Sequence, residues 1–299
     1  MKQKLIKFCG SMDIDYVGIA PPGPYTDIEN KYGKKHEGDS TNRLNSDILD
    51  KMIYPELTLK DVKSVIVCLF PYYIGSIPGA NLSKYAYSTD YHMIAQRKLH
   101  EIGVFLERQI ENFNYKCFAD NGPLNDRYMA HKAGLGFWGI NNHIITERYG
   151  SYVFIGYIIN NYQFEADTPL DRTCIKCYNC VRDCPGQCIR GDFTIDSTRC
   201  KSYITQKKGQ LTVEEIATLR KNCLIWGCDV CQDVCPHNKG VQKTPIEDFK
   251  NNIKHNIEYW ELANMSNREF LKHYKDRAFA WRGKGVLKRN YEILYENRK

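Results

Sequence analysis

Hydrophobic residues in the first half of the chain fall into short runs separated by turn-forming residues. The run at 64–70 is rich in β-branched residues and ends at Pro71, and a second strong run spans 151–159. A shorter run at 15–20 is ended by two prolines. Runs of this length, composition and boundary predict three strands, of which the run at 64–70 is typical of a buried one.

Helical spacing of hydrophobic residues predicts two long helices. The first spans Tyr91–Phe113, and its expected buried stripe consists of Ile94, Leu99, Ile102, Leu106 and Ile110. The second spans Val286–Glu296, near the end of a basic segment that begins at Asn252. The stretch from Glu29 to Asp50 is polar and contains Gly, Asn and Ser, which predicts a long loop or lid.

Together these elements predict an α+β fold with three domains. Residues 1–165 form an α/β sandwich-like domain, because strands and helices are mixed there. Residues 166–245 are rich in cysteine, and residues 246–299 form a short helical segment that packs on the core.

Composition narrows the class of protein. The chain has 299 residues, 42% of them hydrophobic, enough for one large or two small domains with real cores. No run approaches the roughly 20 apolar residues of a membrane helix, and no signal-peptide core follows the basic N-terminus. We therefore expect a cytoplasmic protein that does not enter a membrane, in which 13 cysteines indicate metal binding rather than disulfides.

The formal net charge of +7 argues only weakly for a nucleic-acid partner. Two iron–sulfur cores held by four thiolates each would lower it to roughly +3, since the charge of a bound metal has to be counted.

The cysteines follow the ligand spacing of two [4Fe–4S] clusters. The segment 174–185 reads C-x-x-C-x-x-C-x-x-x-C-P, the run found in bacterial ferredoxins. The segment 228–236 reads C-x-x-C-x-x-x-C-P, a near copy without its first cysteine. Structural zinc would leave Cys180 and Cys184 without a role, so the spacing favours iron–sulfur clusters and one-electron redox chemistry.

Counting thiolates assigns most ligands. In such runs the first three cysteines hold one cluster, and the cysteine before proline holds the other. One set is therefore Cys174, Cys177, Cys180 and, from the second run, Cys235. The other set has Cys184, Cys228 and Cys231 and needs a fourth ligand.

Three cysteines compete for the missing place. Cys200, between the two runs, is the best-placed donor, and Cys188 and Cys223 are the alternatives.

Motifs along most of the chain resemble those of the epoxyqueuosine reductase family, the cobalamin-dependent iron–sulfur enzymes of the last step of queuosine tRNA modification, which are related to reductive dehalogenases. The matching segments are 16–20 (YVGIA), 84–92 (KYAYSTDYH), 120–127 (DNGPLNDR), 133–139 (AGLGFWG), 150–151 (GS), 200–203 (CKSY), 227–232 (GCDVCQ) and 289–290 (RN).

The resemblance implies the cofactors, the ligands and the partners. It implies cobalamin bound by the first domain, a ferredoxin-like double-cluster module at 166–245, and Cys200 as the fourth ligand of the second set. It further implies that Ile144, Ser202 and Asp229 contact the corrin. Partners would be tRNA and an external low-potential electron donor, and we expect a monomer.

The resemblance also implies a proton donor, Asp120. An exposed aspartate is ionised at neutral pH, so we expect Asp120 at a strand end, in a desolvated pocket that raises its pKa. Asp126 is expected to pair with Arg127 or to cap a helix. His92 partly matches a box of cobalamin enzymes with a histidine below the cobalt, but we expect it to make a polar contact at a helix start.

Two departures keep other functions open. A family lysine is Ile140 here, and we expect a short form of the family, without the helical-repeat domain of the best-known members. The tRNA expectation then rests on the basic tail from Lys284 to Lys299. The alternatives are a reductase of a small halide, epoxide or alkene with the same cofactors, and a non-catalytic electron carrier.

Overall fold

The computed structural model describes residues 1–28 and 46–295, which pack into two compact units. The units interleave along the chain: the first is built from Met1–Phe70, Ala95–Phe137 and Phe154–Asp171, and the second from Pro71–Ile94, Trp138–Val153 and Arg172–Lys299. Strands and helices alternate in the first unit and short helices dominate the second, which confirms the predicted α+β class. The division into domains 1–165, 166–245 and 246–299 stays a prediction.

A four-stranded sheet forms the centre of the first unit. Its strands are β1 (Tyr16–Ala20), β2 (Ser64–Pro71), β3 (Tyr115–Ala119) and β6 (Val153–Asn160), in the order β1-β2-β6-β3. β1 pairs antiparallel with β2, and β3 pairs antiparallel with β6. All eight residues of β2 are buried, as its uninterrupted apolar run predicts. The strands predicted at 15–20, 64–70 and 151–159 are therefore confirmed.

Helices flank this sheet, and one of them confirms the predicted stripe. The helices are α1 (Lys2–Gly10), α2 (Ser46–Ile53), α3 (Tyr91–Glu107) and α4 (Asp126–Lys132). In α3 the stripe residues from Ile94 to Leu106 are buried, whereas Ile110 lies beyond the helix end, so the helix is shorter than predicted. Leu99 packs towards Gly156 of β6, where a side chain would not fit.

Short helices and loops make up most of the second unit. Two short strands, β4 (Phe137–Trp138) and β5 (Ile144–Ile145), pair with each other. The helices are α5 (Asn179–Arg182), α6 (Lys201–Ile204), α7 (Val213–Leu219), α8 (Val230–Asp233), α9 (Tyr259–Asn264), α10 (Asn267–Tyr274) and α11 (Lys284–Tyr295). A core around Trp226, Phe270 and Leu287 joins the C-terminal helices to the segment at 82–87 and to the segment at 219–226, which lies between the two cysteine runs.

Two expectations about surface segments need comment. The loop predicted from Glu29 to Asp50 lies mostly outside the described residues, and over Ser46–Asp50 it is wrong, since these residues begin α2. No helix in the described part of the chain is long and apolar enough to cross a membrane.

Candidate functional site

The first predicted cysteine set lines one small cavity of the second unit. Cys174, Cys177, Cys180 and Cys235 all face it. Lys176 and Tyr178, between the cysteines, adopt left-handed backbone conformations with φ of 54° and 57°, so the chain curls tightly. Burial, then the charges of Cys174, Cys235 and Cys177, raises the pKa of the Cys180 thiol to about 11. Four converging thiols are suited to a metal cluster, whose binding deprotonates them.

The second predicted set also converges. Burial raises the pKa of the Cys231 thiol well above its usual value, and the charges of Cys228, Cys200 and Cys184 add to this effect. Burial likewise raises the pKa of Cys228 to about 11, with Cys200 as a charged neighbour. The charge of Cys180, from the first set, also raises the pKa of the Cys231 thiol, so the two sets adjoin within this unit.

Of the two alternative ligands, only one lies beside this set. Cys188 is buried, and its Sγ lies 3.4 Å from Sγ of Cys184. Hydrogen bonding from Cys188 is the largest cause that lowers the pKa of Cys184 to about 5 and of Cys200 to about 7. Cys223 is exposed, and its thiol donates to the carbonyl of Ala80 at 3.6 Å. The geometry therefore disfavours Cys223, and the choice of Cys200 over Cys188 stays a prediction.

Side chains outside the cysteine runs contact the other sulfurs of the second set. The amide Nδ2 of Asn222 donates to Sγ of Cys228 at 3.9 Å, and Nε2 of His143 lies 3.9 Å from Sγ of Cys231. The fully buried Lys201 holds Asn222 in place, because its Nζ donates to the backbone oxygen of Asn222 at 3.0 Å and to its side-chain oxygen. Burial lowers the pKa of Lys201 to about 8. Sequence spacing did not reveal these partners.

Asn290 ties the segments that carry two of these cysteines. Its Nδ2 donates to the carbonyl of Thr205, just after α6, at 2.7 Å, and to the carbonyl of Ile225 at 2.8 Å. Thr205 in turn accepts a hydrogen bond from the backbone N–H of Gly227, next to Cys228. The arginine–asparagine pair is therefore a structural clamp within the second unit.

Asp120 lies in the first unit, directly after β3, which confirms the predicted strand end. It is half-buried, and both Asp120 and Asn121 have left-handed backbones, with φ of 57° and 45°. A Cβ on the next residue, Gly122, would lie 2.1 Å from the hydroxyl of Tyr157, which accepts a hydrogen bond from the N–H of Leu124. The turn that presents Asp120 is therefore tightly constrained, whereas its raised pKa stays a prediction.

Asp126 does not have one of the two roles predicted for it. The helix cap is Asn125, whose side chain accepts from the N–H of Tyr128 at 3.0 Å, so the prediction of Asp126 as a cap is wrong. Its buried Oδ1 has no hydrogen-bond partner in the described structure. Burial and, second, the charge of Asp120 raise its pKa to about 7, against the opposing charge of Arg127. Asp126 therefore ionises less readily than an exposed aspartate, and the charge of Asp120 contributes to this.

Comparison with known proteins identifies the chain. Residues 173–238 match a family model described as a 4Fe-4S double cluster binding domain, and residues 53–121 match one described as epoxyqueuosine reductase QueG. An epoxyqueuosine reductase of Lactococcus garvieae is 31% identical over 97% of this chain and 85% of its own length. The chain belongs to the epoxyqueuosine reductase family. A Bacillus subtilis epoxyqueuosine reductase is similarly related, at 30% identity over 97% of this chain and 77% of its own length.

Solved structures of this family share the fold. The structure of epoxyqueuosine reductase from Streptococcus thermophilus matches 99% of this chain and 81% of its own, with a TM-score of 0.85 and 29% identity. A structure of epoxyqueuosine reductase with an epoxyqueuosine-modified tRNA stem loop matches 98% of this chain and 80% of its own, with a TM-score of 0.84 and 27% identity. The chain is accordingly an oxidoreductase, with two [4Fe–4S] clusters and, as a family member, cobalamin.

Ile140 stands where the resemblance implies a lysine, and it lies among the cysteines of the second unit. Ile140 is 1% exposed and packs with Cys174, Cys180, Cys184 and Cys188. The substitution therefore changes the surroundings of the cysteines, where a buried ammonium would require a counter-charge.

The three residues expected to contact the corrin, Ile144, Ser202 and Asp229, all belong to the second unit. Asp229 is buried, and its carboxylate accepts from the hydroxyl of Ser83 and from the N–H of Lys84 at 2.9 Å. Burial raises its pKa, against the opposing charge of Lys84.

His92 makes the expected polar contact at the start of α3. Its Nδ1 lies 2.6 Å from Oδ1 of Asp90. Asp90 also accepts from the backbone N–H of His92 at 3.0 Å, so the pair closes the first turn of the helix.

Proposed function

We propose that this protein reduces epoxyqueuosine to queuosine in tRNA, with its eight predicted cysteines as the cluster ligands. The observation that carries the proposal is the match of 97% of the chain to epoxyqueuosine reductases, together with a related structure that holds an epoxyqueuosine-modified tRNA stem loop. The ligand sets of the proposal are Cys174, Cys177, Cys180 and Cys235 for one cluster, and Cys184, Cys200, Cys228 and Cys231 for the other.

The reaction sets what the side chains have to supply. Removal of the epoxide oxygen forms a carbon–carbon double bond, consumes two electrons and two protons, and releases water. Cobalamin supplies the low-potential centre at which electrons from the clusters reach the substrate. The protein has to hold the substrate and deliver protons to the departing oxygen.

Asp120 is the proton donor in this proposal. The tight turn after β3 fixes its position, and its neighbour Asp126 carries a buried oxygen without a hydrogen-bond partner in the described residues. Because burial raises the pKa of Asp126 to about 7, part of its population carries a proton at neutral pH, and the proposal assigns the second proton to this carboxyl group.

Three residues of the second unit are proposed to contact the corrin: Ile144, Ser202 and Asp229. The carboxylate of Asp229 is already bound by Ser83 and Lys84, so its contact is assigned to the backbone. Its side chain keeps Ser83 and Lys84 in place.

The test is turnover after anaerobic reconstitution with iron, sulfide and cobalamin, on tRNA that contains epoxyqueuosine. Asp120→Asn is expected to lose most turnover while it keeps both clusters and cobalamin. Asp61→Asn is the matched control, since Asp61 also has a left-handed backbone, with φ of 59°, and is exposed. Near-normal turnover of loaded Asp120→Asn would rule out the assigned donor.

Binding to tRNA separates this function from reduction of a small molecule. A protein that contacts phosphates loses affinity steeply as salt rises. Absence of binding to queuosine-type tRNA at low salt would favour the small-molecule reductase, and failure to retain cobalamin would favour the electron carrier.

Two cations of the basic tail, Lys284 and Arg289, are not assigned to this binding in the proposal. Lys284 donates to the carbonyl of Met265, and Arg289 donates to the carbonyls of Lys207 and Gly209 at 2.7 and 2.6 Å. These cations stabilise the fold. The cytoplasmic location, the monomeric state and the external low-potential electron donor stay predictions.

A further inference from the structure

Cys188 is a buried thiol that neither ligand set uses. It lies four residues after Cys184 and is 3% exposed. Two of its groups meet the same sulfur: its backbone N and its Sγ each lie 3.4 Å from Sγ of Cys184. Its thiol also contacts Cys200.

The position of Cys188 is fixed by the backbone around it. Its carbonyl accepts a hydrogen bond from the N–H of Asp196 at 2.8 Å, and the next residue, Ile189, forms an antiparallel bridge with Ile195. Cys188 also packs against Ile140 and Ile189 in the core around the cysteines. The thiol is therefore held against Cys184 by a closed loop rather than by a flexible side chain.

Metal ligation determines which sulfur donates. A cysteine that binds iron does so as a thiolate and can only accept hydrogen bonds. Because Cys188 binds no iron in these sets, it is the member of the Cys184–Cys188 pair that can donate, and the Sγ–Sγ distance of 3.4 Å allows a hydrogen bond. The remaining sulfurs of this set have partners of other kinds, with Asn222 at Cys228 and His143 at Cys231.

We propose that Cys188 is a non-ligating thiol that donates a hydrogen bond to the thiolate of Cys184 and thereby raises the reduction potential of the second cluster. The inference rests on the ligand sets of the proposed function. Hydrogen bonds to cluster sulfurs shift reduction potentials, since they stabilise the additional negative charge of the reduced cluster. Cys188 is thus a positioning residue for electron transfer, and it acts through Cys184.

The test is a reductive titration of the reconstituted protein, followed by electron paramagnetic resonance, with no turnover required. Cys188→Ala removes the donor and is expected to keep about eight irons per chain. One midpoint potential should become more negative and the other should stay unchanged. Cys188→Ser keeps a hydrogen-bond donor, so its midpoint potential should stay close to that of wild type. Cys223→Ala is the matched control, because that thiol is exposed and donates to the Ala80 carbonyl.

Two results would overturn the inference. Unchanged midpoint potentials in Cys188→Ala would show that the hydrogen bond has no effect on either cluster. Loss of about four irons in Cys188→Ala would show that Cys188 is needed to hold a cluster. If Cys200→Ala then kept both clusters, the proposed ligand set would fail as well, whereas absent turnover with intact clusters would count only against the proposed function.

Discussion

Replacement of Asn290 by alanine tests how the clamp within the second unit is built. The side chain is fully buried, and its Nδ2 donates to the carbonyls of Thr205 and Ile225. Its Oδ1 accepts from Nε and Nη2 of Arg289, at 3.1 and 2.8 Å. Asn290→Ala therefore leaves two buried carbonyl groups and part of a guanidinium without partners.

The expected loss of stability follows from these groups. Each buried carbonyl left without a donor costs about 1–3 kcal/mol, so the two together cost about 2–6 kcal/mol. The higher helix propensity of alanine offsets only about 0.5 kcal/mol. For a chain of this length the unfolding entropy is about 0.6 kcal/mol per kelvin, which converts the net loss into a Tm lower by about 2–9 °C.

The assay is thermal unfolding of the reconstituted protein under anaerobic conditions, with wild type and variant side by side. Asn264→Ala is the matched control, since Asn264 is an exposed asparagine at the end of α9, and its Tm should stay within about 1 °C. Iron content gives a second measurement, because the clamp joins the segments after Cys200 and before Cys228. A Tm of Asn290→Ala equal to that of wild type would refute the argument that these hydrogen bonds hold the segments together.

Three further predictions concern buried charges and close packing. Burial and the charge of Asp120 raise the pKa of Asp126 from 3.8 to about 7. The native state therefore binds a proton more tightly than the unfolded chain does, and the stability that this group contributes is lost as the pH rises from about 4 to about 7. Asp126→Asn should therefore gain Tm relative to wild type at pH 8 more than at pH 5.5, and a difference independent of pH would contradict the shift. Gly122→Ala should lower turnover about 100-fold, because its Cβ would lie 2.1 Å from the Tyr157 hydroxyl and displace Asp120. The control is Gly10→Ala, which has open space around its Cβ and should leave turnover unchanged. Lys84→Met should lower stability by about 3–5 kcal/mol, measured as a lower Tm, because Asp229 stays buried without its cation; an unchanged Tm would count against the pair.

Hydrophobic patterns predicted the strands and helices well where burial of apolar side chains is the dominant force. The uninterrupted apolar run at 64–70 is a fully buried strand, and the stripe from Ile94 to Leu106 is the buried face of α3. The predicted helix extended too far towards Phe113, because helical spacing of apolar residues does not locate a helix end. Of the two roles predicted for Asp126, pairing with Arg127 or capping a helix, the cap is wrong, because Asn125 occupies it.

By itself, the sequence indicated the chemistry of this protein, since the cysteine spacing predicts two [4Fe–4S] clusters and the motifs along the chain indicate the family. These features are local, and a ligand run has to be short because one cubane is small. Only the tertiary structure decided what surrounds those groups: Cys188 and Asn222 against cluster sulfurs, Ile140 in the core with the cysteines, and Asn290 between two segments. Such contacts join residues up to 85 positions apart, and they depend on how the whole unit packs rather than on any pattern along the chain.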